Sequence, residues 1–520
     1  MITRDGSTTS LWQSTSTPHK IKNINTQPGK VDVVIVGGGI TGLTTGLMLQ
    51  EAGKNCLILE AADLCFGTTG GTTAHLNTYL DTPYSVIMKN FGQEAAVRIA
   101  QSTVDAIDSI KSIIKKHSIE CGFEKCNAYI FSQDEKQTEE LESIFDTTDQ
   151  VDIPSQYTEE IPIPILFDEA IMIPGQAKFH PVHYVHGLAK AFEDAGGVIK
   201  INCRVTKFNE EKDRIEVESD QETFHCSKLI FATHVPPFIN ILHLRYTPYR
   251  TYAMAVRLSS GEYPNDLVYD MYDPYHYYRT QVIDGEHYLI VGGEDHKTAH
   301  ESNTKTCLLR LESHIRKYFD VDSVQNSWSS QYYESADGLP YIGSLPGYSD
   351  NVMVATGFGG NGMIYSNIAA RIFKSMVMEE ENDLIEIFKP SRVKPIAGFK
   401  NFAGHNLDVL RHLIGKLFAT DEFHGLADLA PGESKIIKME TQAVGIHKDE
   451  QGGLHAINAG CTHMKCTVAW NLVEKLWDCP CHGARFSPDG KVLNGPASRD
   501  LEYINIELIT AEAHASNSKQ

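Results

Sequence analysis

Val33-Val34-Ile35-Val36 is a β-branched run with no polar member, and it stops at Gly37-Gly38-Gly39. An unbroken apolar run bounded by glycine predicts a buried parallel strand rather than a half-exposed one. From Ile40, the residues Leu43, Leu47 and Leu49 recur at helical spacing until Gly53, and Cys56-Leu57-Ile58-Leu59 makes a second run closing on Glu60. Together these segments predict a β-α-β unit. Val97, Val104, Ile107 and Ile114 then share one helical face, followed by a strand at Tyr129 to Ser132 and a charged helix from Asp134 to Phe145. Ala189 to Ala195, Gly196-Gly197 and Val198 to Val205 read as helix, turn and strand, and Lys228 to Thr233 as another buried strand. Arg245 to Gln331 alternates apolar and polar positions with turns at Pro264, Asp273-Pro274 and Asp284-Gly285, which predicts an antiparallel sheet. Val352 to Thr356 is a further buried strand that runs into Gly357 to Gly362 and a helix through Ile368 to Met378.

The fold class expected is α/β plus all-β. A Rossmann-type nucleotide-binding domain occupies 31–388 and is visited three times, with substrate-domain segments at about 80–180 and 241–330 inserted between the visits. Residues 1–30 form an N-terminal extension. A linker at 389–422 holds two prolines near its start and a helix with Leu407, Leu410, Ile414 and Leu417 on one face. From 423 to 510 the pattern changes to short strands and turns, including a hairpin with its tip at Lys448 to Gly453, and 511–520 is a frayed tail.

Composition narrows the partners. With 46 Lys and Arg against 67 Asp and Glu, the formal charge is -21, which repels phosphate backbones and anionic bilayers, so nucleic acid is not expected as a partner. At 42% apolar and 22% charged, the 520 residues are an ordinary globular chain of two or three domains. The longest apolar stretch, Val31 to Leu49, is interrupted by five glycines, so no membrane span is expected, and a cytoplasmic location follows from the lack of a secretory pattern. Four of the 11 cysteines lie between 461 and 481.

Gly37-x-Gly39-x-x-Gly42 follows a strand and opens a helix, so backbone N–H groups can meet a pyrophosphate without a Cβ in the way. Glu60 ends the next strand, placed to accept from an adenosine ribose and to repel a 2′-phosphate. Three further strings are Gly67 to Asn77 (GTTGGTTAHLN), Ala232-Thr233 after a buried strand, and Ser335 to Gly362 (SADGLPYIG to ATGFGGNG). With GGGITGLTTG they resemble the D-amino-acid-oxidase-like flavoproteins, among them glycine oxidase and sarcosine oxidase, over about Val31 to Met378. The resemblance implies FAD, held by Gly37, Gly39, Ile40, Thr41, Gly42 and Glu60, with the loop carrying Thr69, Gly70 and Thr72 beside the flavin. It further implies Val205 and Thr233 near the nucleotide, and Gly359, Gly360, Asn361, Gly362 and Met363 capping the isoalloxazine with a helix N-terminus. Nine tyrosines between Tyr246 and Tyr278 are candidates for a pocket wall, unless they alternate across a half-buried sheet. Arg250 and Arg279 are candidates to hold a substrate carboxylate, and Tyr252 and His296 are further catalytic candidates. Hydride abstraction from a neutral amine needs positioning more than a protein base, so the sequence singles out no catalytic residue.

Cys461-x-His463 and Cys479-x-x-His482 place a thiolate and an imidazole on each of two loops. Two cysteines on one iron and two histidines on the other make a Rieske 2Fe-2S cluster, whereas a zinc Cys2His2 site uses pairs of like residues. The strings CTHMKC and CPCHG resemble the Rieske protein of respiratory cytochrome bc complexes over about Phe423 to Leu508. That resemblance implies a disulfide between Cys466 and Cys481, the alternative being two reduced buried thiols, and a third covering loop at Gly495-Pro496-Ala497. The bc-type hydroxyl positions hold Ala484 and Phe486 here, so a cluster potential below the upper part of the Rieske range is expected.

The whole chain resembles FAD-dependent oxidoreductases fused to a C-terminal Rieske domain. The resemblance implies oxidation of a small amine or amino acid at its C–N bond, with electrons leaving through the cluster to an unidentified acceptor. Two alternatives stand beside it: electrons entering through the cluster from a donor to reduce an organic substrate at the flavin, and a non-catalytic redox sensor or electron carrier.

Overall fold

The computed structural model describes residues 4–22, 31–212, 214–393, 429–439 and 442–505. The runs read as buried strands lie side by side in a six-stranded sheet of order 341–344, 352–356, 228–231, 33–36, 56–59 and 198–200. Val33–Val36 pairs in parallel with both neighbours and is buried at every position. Its side chains alternate between two cores. Val33 and Ile35 join the helices Ile40–Glu51, Gln93–His117, Pro181–Asp194 and Gly362–Met378 on one face, while Val34 and Val36 meet a three-stranded meander of 205–226 on the other. That two-sided burial is why the run carries no polar residue.

A nine-stranded sheet is built largely from the inserted segments, in the order 321–335, 246–258, 286–297, 277–283, 267–269, 124–131, 170–178 and 75–76, with 156–157 paired beside the path. It differs from the expected antiparallel sheet in two ways. Leu267–Tyr269 runs parallel to Glu124–Phe131, which joins the two inserted segments. Within 245–331 the chain also forms a helix, Thr304–Tyr318, whose buried Cys307, Leu311 and Ile315 recur every four residues; charged residues between them hid the period.

Residues 4–22 are packed rather than trailing. Leu11 and Trp12 are fully buried, the Trp12 indole donates to the Thr72 carbonyl, and the Arg279 guanidinium lies 5.3 Å from its ring. The expected helix at 407–417 and the tail from 511 lie outside the described residues. Among the described residues, no helix is long and apolar enough to cross a membrane.

The C-terminal domain stacks the sheet 434–439, 442–448, 454–458 with a four-stranded sheet, 469–471, 476–478, 485–486, 492–494. It joins the first domain through buried charge. Arg250 donates to Glu474 at 2.7 Å and lies 3.3 Å from Asp5, and Arg485 meets Asp5 at 2.6 Å, Asp478 at 2.8 Å and Glu474. With Arg4 beside them, three arginines face three carboxylates, all removed from solvent. Gly483 closes the contact: its φ is +73°, a Cβ there would lie 2.5 Å from Gln331 Nε2, and Gln331 donates to its carbonyl at 2.9 Å.

Candidate functional site

A cavity of 290 Å³ runs from the glycine-rich loop at Gly37 to the face of the nine-stranded sheet. At its first end, Gly39 opens the helix Ile40–Glu51 with no side chain of its own to cap it; Ile40 N reaches Thr69 Oγ1 at 3.3 Å, and Ile40 and Thr41 line the cavity. A Cβ at Gly42 would lie 1.9 Å from the Gly37 carbonyl, so only glycine permits this close turn. Glu60 accepts from Gly38 N at 2.6 Å and Ala62 N at 2.9 Å, and burial raises its carboxyl above the usual range. The loop at Thr69 and Thr72, Val205, Thr233 and the segment Gly359 to Met363 line the same cavity as Gly37, Gly39, Ile40, Thr41 and Glu60. Gly42 and Gly70 stand behind it: a Cβ on Gly70 would meet the Cys65 carbonyl at 2.3 Å. The cavity is long, walled by backbone at one end and rings at the other, and fits a dinucleotide flavin.

At the second end stand Tyr269, Tyr275, Tyr277, Trp328, Tyr332 and His75, with Asp81 and Asp295. His75 Nδ1 and the Tyr269 hydroxyl are 2.7 Å apart, Thr251 meets the Tyr277 hydroxyl at 2.8 Å, and Tyr332 donates to Asp295 Oδ2 at 2.9 Å. Burial holds the Tyr269, Tyr275 and Tyr332 phenols well above their ordinary range and His75 well below its own, so all four are neutral. Burial, with Asp81 nearby, pushes the Asp295 carboxyl up to about 7.

None of the four sequence candidates for catalysis lines this cavity. Arg250 belongs to the domain junction, and Arg279 donates to the carbonyls of Thr73, Ala74 and Phe179 at 2.9, 2.7 and 3.2 Å. The Tyr252 hydroxyl meets His296 Nε2 at 2.9 Å on the far side of the sheet, where Tyr252 is part of a separate core. Parity is the reason: Thr251 and Ala253 face the cavity, so Arg250 and Tyr252 cannot. Across from them the register shifts between Arg250 and Tyr252, paired with His296 and Gly293. This β-bulge leaves Glu294 at φ +59° and turns Asp295 inward. Sequence reasoning chose His296, one residue from the side chain that reaches the cavity. Of the nine tyrosines only Tyr269, Tyr275 and Tyr277 line it.

In the C-terminal domain, the rings of His463 and His482 are 4.9 Å apart and perpendicular, and Cys461 and Cys479 are buried beside them with their sulfurs in hydrogen-bond contact. Amides of His463 and Met464 point at the Cys461 sulfur and those of Cys481 and His482 at the Cys479 sulfur. Cys466 and Cys481 form a disulfide that ties the two loops together. The ring nitrogens of His463 are buried with the Phe238 carbonyl beside the ring and no well-formed hydrogen bond to other described residues, which leaves a nitrogen for a metal. Two thiols ringed by amides and two imidazoles on the other side fit a 2Fe-2S cluster with mixed ligands. Neither histidine faces water. Both pack against His243 of the first domain, with ring centroids 4.4 Å (His463) and 5.6 Å (His482) away, and His243 is itself held by the Asn240 and Pro236 carbonyls at 2.9 and 3.0 Å. Gly495 and Ala497 of the third loop, with Leu493, Asn494 and Ser498, line the flavin-side cavity. Nothing local in the sequence around His243 marks this role.

A model of the FAD dependent oxidoreductase family matches residues 32–376, and one of the Rieske [2Fe-2S] domain matches 423–505. YhfW of Bacillus subtilis, named for a Rieske 2Fe-2S iron-sulfur centre, is 32% identical over 92% of this chain and 94% of its own length. Among solved structures, glycine oxidase from Geobacillus kaustophilus superposes with a TM-score of 0.59 at 16% identity, covering 70% of this chain and 99% of that one. L-amino acid deaminase from Proteus myxofaciens gives 0.59 at 15% identity, over 76% and 100%. At such identities the two structures share the fold. The chain belongs to the FAD dependent oxidoreductase family and carries a Rieske [2Fe-2S] domain at its C-terminal end, so its cofactors are FAD and a 2Fe-2S cluster.

Proposed function

We propose that the chain oxidises a small amine or amino acid at its C–N bond and passes the electrons one at a time through the Rieske cluster to a separate acceptor. The observation that carries this reading is the shared wall: the loop at 493–498 of the cluster domain lines the same cavity as Gly37 and Gly359. The rings between the two sites support it as well. From His243 the steps are 5.7 Å to Tyr246, 5.1 Å to Tyr333 and 4.7 Å to His234, which lines the cavity. FAD supplies a two-electron acceptor for a C–H hydride, and the cluster a one-electron carrier.

The protein's own part is to bind, orient and keep dry. Amides at the start of Ile40–Glu51 would hold the pyrophosphate of FAD, and the start of Gly362–Met378, with no side-chain cap, would favour negative charge on a group bound beside it. Tyr269, Tyr275 and Tyr277 exclude water, and the ionic junction fixes the cluster domain against the first. The test is anaerobic mixing of the holoenzyme with a panel of amines and amino acids, following flavin absorbance and the electron-spin-resonance signal of the reduced cluster. Flavin bleaching followed by cluster reduction is expected. Two intact centres that no amine or amino acid reduces would refute the reading and favour electron entry through the cluster or a sensor.

A further inference from the structure

Resting on the amine-oxidation reading above, we propose that the substrate is a cationic amine with no carboxylate on the oxidised carbon, and that the Asp295 carboxylate holds its ammonium group within a cage of tyrosines. An α-amino acid needs a fixed cation for its carboxylate, best a two-point arginine. The two arginines of the neighbouring strands are engaged elsewhere, Arg250 by Glu474 and Ser329 and Arg279 by three backbone carbonyls. Two arginines, Arg4 and Arg204, do line the cavity, and each is already bonded to neighbouring groups. Arg4 contacts Thr68 and lies beside His234, and Arg204 lies near Glu60 and donates to the Val492 carbonyl at 3.4 Å.

The ring-lined end carries the opposite charge. Asp81 and Asp295 face the cavity, and Glu334 lies close enough to interact with both, with Lys297 beside it but outside the cavity wall. Asp81 is turned to the backbone and accepts from Gly360 N at 2.6 Å. Asp295 is not fully used: Oδ2 accepts from Tyr332 and the Thr251 hydroxyl lies beside the carboxylate, while Oδ1 is buried without a well-formed hydrogen bond among the described residues. An unpaired buried acceptor is costly unless a ligand donor completes it. The bulge that aims Asp295 inward holds Glu294 in the left-handed region, a strained position of the kind that clusters at binding sites. Tyr275, Tyr277 and Tyr332 add π-faces that attract a cation and do nothing for a carboxylate.

The lifted Asp295 carboxyl also suits proton transfer: its ionised form is stabilised when a cation arrives, and Oδ1 can take the N–H proton whose loss frees the nitrogen lone pair. The solved amino-acid enzymes share the fold with this chain, and at 15–16% identity the fold does not carry the substrate over.

The test uses holoenzyme and pairs of compounds that differ only by the α-carboxylate: butylamine with norvaline, putrescine with ornithine, phenethylamine with phenylalanine. The amine of at least one pair is expected to bleach the flavin with kcat/KM at least roughly a hundredfold above its amino acid. A second readout needs no turnover. tert-Butylamine has no C–H on the carbon bearing nitrogen, and its calorimetric Kd is expected to rise at least roughly tenfold in Asp295→Asn, to be restored in Asp295→Glu, and benzoate is not expected to lose affinity in either. Preference for the amino acid in every pair that reacts, or an unchanged tert-butylamine Kd in Asp295→Asn, overturns the proposal while leaving amine oxidation standing. Bleaching by neither member of any pair, with both centres spectroscopically intact, overturns the amine-oxidation reading and this proposal with it.

Discussion

Glu474→Gln removes one charge and almost no volume from the junction between the two domains. In the native protein this carboxylate is fully buried and shared by Arg250, at 2.7 Å, and Arg485. Three arginines balance three carboxylates there, so the substitution leaves one uncompensated positive charge in a dry contact. Removing one partner of a buried ion pair costs about 3–5 kcal/mol. The cost falls on the docked arrangement, because in separated domains the same groups regain water, so docking weakens roughly 10²- to 10⁴-fold. In anaerobic stopped-flow mixing, the first phase, bleaching of the flavin by substrate, is expected to stay within about twofold of the native rate. The second phase, reduction of the cluster, is expected to slow by at least tenfold, and the thermal loss of the cluster chromophore to move to lower temperature. Because the pairs are buried, added salt is not expected to reproduce the effect in the native protein. Arg250→Gln is expected to behave in the same way with KM for the amine unchanged, which separates a junction role from a carboxylate-gripping one. Native second-phase rates and native melting in both variants would refute the argument that this ionic contact holds the two centres in electronic register.

Three further outcomes follow from particular side chains. Ala484→Ser places a hydroxyl in the buried loop that follows the cluster ligands; one net hydrogen bond of about 1 kcal/mol to a sulfur of the reduced cluster raises the midpoint by roughly 40 mV, and a potentiometric titration showing no rise would discard the hydroxyl argument. The affinity for tert-butylamine is expected to increase as pH rises through about 7, where Asp295 ionises among Asp81, Glu334, Tyr332 and His276; calorimetry from about pH 6 to 8.5 showing a flat profile contradicts it. For His276, burial would lower the imidazole, but the hydrogen bond to Asp270 at 2.8 Å and the Glu294 carboxylate 3.6 Å away, with their charges, carry it up to about 9. Its folded value therefore lies above the ordinary 6.5, and the stability it contributes is complete below about 6.5 and disappears as pH rises through about 9. His276→Gln is expected to flatten that alkaline decline in thermal melting, and an unchanged decline assigns it to other groups.

The parts of the site legible in the sequence are those built by neighbours along the chain. Gly37 to Gly42 forms one turn, and Cys461 with His463 and Cys479 with His482 each sit on one loop, so spacing alone carries their chemistry. At the ring-lined end the cavity-facing side chain is one position from His296, because strand parity is a period of two and a single extra residue reverses it. The bulge opposite Thr251 made Asp295 the inward residue and left His296 on the far side with Tyr252. The contact between His243 and His463 joins residues 220 positions apart, and no periodicity in either segment refers to the other.

By itself, then, the amino-acid order marked the buried strands and the glycine turn by short-range geometry and apolar periodicity, and its resemblance to two families carried the two cofactors. Tertiary structure alone decided that Arg250 and Arg279 serve packing and domain joining, that Asp295 and Asp81 face the ring-lined end of the cavity, and that His463 and His482 turn inward onto His243 of the first domain. Charge meets charge only where chain topology brings distant strands together, and that meeting is set by the register of whole sheets rather than by any one motif.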